Sequence, residues 1–148
     1  MTMVPATPRF ETDAPCFEWS GAEHAIGVTA FDQEHQRLAA LIGQVHATLR
    51  DKQDRALAQN LMGALIYETW VHFDHEERVM TEVGFEGREA HAAEHAALIQ
   101  QAKDMVQKVQ RGEISSQAMP GFLLTWLIPH IQVMDRQYAE CLQSHGFR

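Results

Sequence analysis

Nine histidines occur in this chain of 148 residues, and five of them fall into a pattern with carboxylates. His35 stands in "DQEHQRL"; His72 and Glu76 are four apart in "HFDHE"; His91 and His95 are four apart in "HAAEH"; His130 and Asp135 are five apart in "PHIQVMD". Side chains four apart share one face of an α-helix. Five imidazoles and two carboxylates form a metal-binding set. Imidazole nitrogen with carboxylate oxygen suits first-row transition metals such as iron, whereas calcium and magnesium prefer oxygen alone. A tetrahedral zinc site uses four ligands. Seven donors overfill one ion and suit two, with the carboxylates between them. A lone histidine on an apolar face is usually an ordinary hydrogen-bonded core residue. Seven such groups in one layer, uncompensated, cost several kcal/mol for each charge buried, and bound cations supply the compensation.

The elements that must position these residues are helices, and the fold class is all-α. Apolar residues recur with a 3.6-residue period, and no alternating strand pattern is present. Residues 1–30, with Pro5, Pro8 and Pro15, read as an irregular N-terminal arm. Residues 31–148 read as one domain, an up-down-up-down antiparallel four-helix bundle. The first helix is expected from about Asp32 and the second from about Asp54 to Val83, stopped by Gly84. The third covers about Arg88 to Gln110, and the fourth runs from Ser115 or Ser116 to about Ser144. The apolar stripes pass through His35, His72, His91, His95 and His130, so these side chains point inward. At about 1.5 Å of rise per residue, counting from the expected turns brings all four helices' polar residues to a common level within about one turn.

The fourth helix poses a local problem, because residues five apart diverge by about 140°. A one-residue π-bulge between His130 and Asp135, eased by the missing N–H of Pro129, brings the pair to one face. The alternative is a regular helix kinked at Pro129, with the reach of Asp135 making up the difference.

The ordered set of motifs resembles the hemerythrin family in its bacterial form. It is carried by "GVTAFDQEHQRL" (27–38), "HFDHEERVM" (72–80), "HAAEHAAL" (91–98) and "WLIPHIQVMDRQY" (126–138). The resemblance spans Trp19 to Tyr138. It implies a non-haem pair of iron ions joined by an oxo or hydroxo bridge. His91, His95 and His130 would hold one iron and His35 and His72 the other, with Glu76 and Asp135 bridging. The two-histidine iron would keep an open position that binds O2 reversibly, for storage, delivery or sensing. The resemblance therefore implies oxygen transport or a related binding role rather than an enzyme. The alternative is a di-iron enzyme with peroxidase, oxidase or nitric-oxide-handling activity.

Trp70, Phe73, Leu98, Ile99, Trp126, Leu127 and Ile131 are candidates for the wall of the O2 pocket, Leu98 and Leu127 foremost. His75 is expected at the surface, His46 on the face of His35 but too distant to share its ions, and His24 and His145 outside the bundle core. Glu68 is expected to be exposed rather than bonded to a ligand histidine. A net charge of -8 argues against a nucleic-acid partner. No apolar run reaches the roughly 20 residues of a membrane span, and residues 1–16 lack a signal-peptide pattern. The expected location is cytoplasmic, without a membrane partner; a separate protein partner is conceivable. Cys16 and Cys141 make no disulfide framework, and Cys141 is expected to be a small buried apolar residue.

Overall fold

A computed structural model describes residues 19–49 and 54–148. Most of the expected arm, Cys16 and the first helix connection near Lys52 lie outside the described residues. The rest is helical, and no strand occurs among the described residues.

A short α1 (Gly21–His24) precedes α2 (Thr29–Ala47), α3 (Arg55–Val83) and α4 (Arg88–Gln110). The fourth column is broken into α5 (Met119–Trp126), α6 (Ile128–His130), a π-helical segment (Ile131–Asp135) and α7 (Arg136–Ser144). Helix α2 begins three residues ahead of the expected Asp32, whose carboxylate instead accepts the backbone N–H groups of Ile26 and Gly27. Asp54 caps α3 by accepting the N–H of Leu57 at 3.0 Å, a contribution of about 1 kcal/mol. Gly84 ends α3 with φ of 70°, a left-handed conformation that a side chain disfavours. There the N–H of Phe85 reaches back to the carbonyl of Met80 at 2.9 Å.

The core is built mainly from the apolar stripes of the helices, with Leu41, Leu61 and Val106 on its partly buried margin. Leu38, Ile42, Val45, Leu65, Met80, Leu98, Ala102, Leu123, Leu127 and Tyr138 are all buried. Each fully buried leucine or valine contributes roughly 2 kcal/mol by removal from water. One position on α3 departs from expectation: Trp70 is 55% exposed. Trp70 is therefore no part of an inner pocket wall. Conversely, His24 is buried beside Trp19, although the sequence pattern placed it outside the core. Cys141 is only half-buried. No helix among the described residues is long and apolar enough to cross a membrane.

The irregular column resolves the spacing problem. Pro129 lies in the first turn of α6 and the chain breaks stride at Leu127. The next five residues are π-helical, which pairs residues five apart instead of four. His130 Nε2 and Asp135 Oδ1 consequently meet at 3.0 Å.

Candidate metal centre

All seven expected donor residues are gathered in one layer, and none is more than 3% exposed. Helix α2 contributes His35, α3 contributes His72 and Glu76, α4 contributes His91 and His95, and the fourth column contributes His130 and Asp135. Two groups of convergent atoms result. One comprises Glu76, His91, His95, His130 and Asp135; the other comprises His35, His72, Glu76 and Asp135. Within each group the donor atoms lie within 4.8 Å of one another, and both carboxylates belong to both groups.

The donor atoms crowd around two shared points. His95 Nε2 and His130 Nε2 face one another at 3.1 Å. His72 Nε2 stands 2.7 Å from Glu76 Oε1, yet it is out of line for a hydrogen bond. Glu76 Oε2, His91 Nε2 and both oxygens of Asp135 also have no hydrogen-bond partner among the described residues. Buried polar atoms are nearly always satisfied, so this concentration of orphaned lone pairs fits bound cations. Five nitrogens with two carboxylates fit a pair of first-row transition ions.

Protons take the cations' place in the metal-free cluster. Burial disfavours a charged imidazole at His72, but Glu76 and Glu34 outweigh it and raise its pKa to about 10. Burial likewise opposes ionisation of Glu76, while His72, His35 and His95 hold its pKa well below the ordinary value. Asp135 is lowered against both burial and Glu76 by His130, His35 and His91. Metal binding must displace such protons.

A ring of carboxylates that the sequence reading missed surrounds the donors. His72 Nδ1–H donates to Glu34 at 2.8 Å, which also accepts from His75 Nδ1 at 2.8 Å. His95 Nδ1–H donates to Glu77 at 3.2 Å. Glu94 lies 3.6 Å from His130 Nδ1, beyond hydrogen-bond reach. These contacts fix the tautomer that turns the Nε2 lone pair inward. Each carboxylate sits next in sequence to a donor on its own helix and faces the histidine of the following helix. That adjacency was the available signal, since neighbours in sequence diverge by about 100°. His75 is half-exposed, as expected, but it shares Glu34 with His72. Glu68 pairs with the exposed Arg37 and takes no part. Tyr138, fully buried, packs its ring 4.9 Å from that of His91. Burial, together with Glu76 and Asp135, pushes its phenol pKa upward and keeps it protonated.

The apolar candidates Phe73, Leu98, Trp126, Leu127, Ile131 and Ile99 are all buried. The ring of Phe73 stacks on His95 with centroids 3.7 Å apart. Trp126 Nε1 donates to the Leu98 carbonyl at 2.7 Å, tying the fourth column to α4.

The hemerythrin HHE cation binding domain matches residues 26–142. A bacteriohemerythrin of Methylococcus capsulatus is 30% identical over 127 residues, covering 85% of this chain and 96% of that protein. One from Stenotrophomonas maltophilia is 29% identical over 120 residues, 81% of this chain and 78% of its own length. A crystal structure of a wild-type hemerythrin superposes with a TM-score of 0.78 at 29% identity, covering 86% of this chain and 98% of that one.

Proposed function

Since this chain belongs to the hemerythrin family of non-haem di-iron oxygen-binding proteins, we propose that it binds O2 reversibly at two iron ions and consumes no substrate. His91, His95 and His130 would hold one iron and His35 and His72 the other, with Glu76 and Asp135 available to both. The observation that carries the reading is the inequality of the two donor groups, five against four, with both carboxylates shared. The five-donor group would fill more of its ion's positions, and the four-donor group would leave its ion room for O2. When bound, the iron pair supplies the electrons that O2 takes up and returns on release.

The chain's own residues do the rest. Glu34 and Glu77 hold His72 and His95 in register through their Nδ1 atoms, so the donors need little rearrangement between ligand-free and ligand-bound states. Phe73, Leu98, Trp126, Leu127 and Ile131 form a dry wall beside the donors. Such a wall excludes the water and anions that would compete with O2.

Anaerobic loading with ferrous iron, followed by air and then degassing, tests this. A visible absorption band that appears with O2 and vanishes on degassing, at two irons per chain, is the expected result. Irreversible oxidation accompanied by turnover of peroxide on a reducing donor would instead favour the di-iron enzyme.

A further inference from the structure

Each column carries one buried residue three positions from a donor histidine, on the side facing the α2–α3 connection. They are Leu38 after His35, Thr69 before His72, Leu98 after His95 and Leu127 before His130. Residues after the histidine on α2 and α4 share a level with residues before it on the antiparallel columns. Two contacts confirm this alignment: the rings of His35 and His72 lie 4.6 Å apart, and Trp126 bonds to the Leu98 carbonyl. The four side chains are 2%, 0%, 6% and 1% exposed, three leucines and one hydroxyl buried at a common level.

Three buried hydroxyls, those of Thr69, Ser116 and Tyr138, have no hydrogen-bond partner among the described residues, and of these Thr69 stands one turn before the donor His72. Thr81 and Thr125 satisfy their hydroxyls on their own helices, donating to the carbonyls of Glu77 and Phe122 at 3.0 Å each. Thr69 Oγ1 has no hydrogen-bond partner among the described residues, although it is completely buried. A buried hydroxyl without a partner is costly, and Thr69 Oγ1 is free to donate to a group held beside His72. Thr69 lies one turn from His72 on α3, and Leu38 lies one turn from His35 on α2. The hydroxyl therefore belongs to the four-donor end, where the open position falls.

We propose that Thr69 is a specificity-determining residue whose hydroxyl donates a hydrogen bond to the ligand held at the four-donor ion. The inference rests on the oxygen-binding reading above and refines it. It favours small ligands whose outer atom accepts a hydrogen bond, O2 and azide among them, over equally small ligands that cannot accept one. The three leucines supply shape and dryness; Thr69 supplies the single polar contact.

The test compares wild type, Thr69→Val and Thr69→Ser, each loaded with two irons and titrated with azide, with O2 release followed in parallel. Loss of one hydrogen bond is expected to weaken azide binding and speed O2 release about tenfold in Thr69→Val. Thr69→Ser, which keeps the hydroxyl, should stay close to wild type. Without iron, Thr69→Val should melt at or above the wild-type temperature, because no bond within the protein is lost. Wild-type azide affinity in an iron-loaded Thr69→Val protein would overturn the proposal. So would a markedly lower melting temperature of that variant without iron, which would reveal a partner inside the protein. A wild-type chain that fails to take up two irons would overturn the parent reading instead, and this one with it.

Discussion

The two halves of the donor cluster are built from different materials. The five-donor half takes two histidines from one regular helix, α4, spaced at the helical repeat, and adds His130 and the shared carboxylates. The four-donor half takes one histidine from each of α2 and α3 and has no third imidazole. The lesson is that asymmetry of function needs no asymmetry of fold. Four columns deliver similar side chains to one level, and one group has one imidazole fewer than the other, which under the proposed function leaves room for a ligand there. The shared carboxylates couple the halves, and the outer carboxylates support them unequally: Glu34 and Glu77 are within hydrogen-bond reach, Glu94 is not.

The largest expected effect breaks both halves together. Glu76→Ala removes a carboxylate common to the two groups and leaves His35, His72 and His95 facing one another without it. Iron content measured per chain should fall from two to below one. By contrast, His72→Ala should leave the five-donor ion in place and bring the content to about one.

A smaller change separates the halves by their outer support. Glu34→Gln removes the charge that orients His72, and iron at the four-donor half should be extracted by a competing chelator about 10–100-fold more readily. Glu94→Gln, whose carboxylate makes no hydrogen bond to His130, should leave extraction nearly unchanged. Equal effects of the two substitutions would contradict the assigned asymmetry.

The smallest expected effect concerns pH in the metal-free chain. Glu76 is depressed below the ordinary carboxyl value of 4.5, so its stabilisation is present above that pH and is lost as pH falls. His72 is raised from 6.5 to about 10, so its stabilisation is complete below 6.5 and is lost as pH rises toward 10. Metal-free protein should therefore melt highest between about pH 4.5 and 6.5. Iron replaces the protons on the histidines, so the loaded protein should not share the decline on the alkaline side. Melting curves across pH with and without iron check this.

Much of the centre was legible because helical periodicity is local. His35, His72, Glu76, His91 and His95 lie on apolar stripes that any regular helix turns inward, and Gly84 and Asp54 mark their ends where backbone chemistry requires. Even the irregular column left a trace, since a histidine and an aspartate five apart raised a π-helical turn or a kink at Pro129 with the reach of Asp135, and the π-helical turn is what the structure shows. Trp70 and His24 were not legible in this way. Trp70 follows the same chemistry as the core residues around it, yet it falls on the outer edge of the α3 face. His24 sits in a segment without periodicity and is buried by tertiary contacts.

What the chain's order of residues determined alone is therefore the depth and identity of the donors, because a side chain's direction on a helix depends only on its neighbours along that helix. The tertiary structure decided everything that needs two helices at once. It chose Glu34 rather than Glu68 as the support of His72, divided seven donors into five and four with two shared, and left the Thr69 hydroxyl unpaired in a layer of leucines. Those outcomes depend on how far apart the columns stand and how they are rotated, and that is settled only when their apolar faces pack.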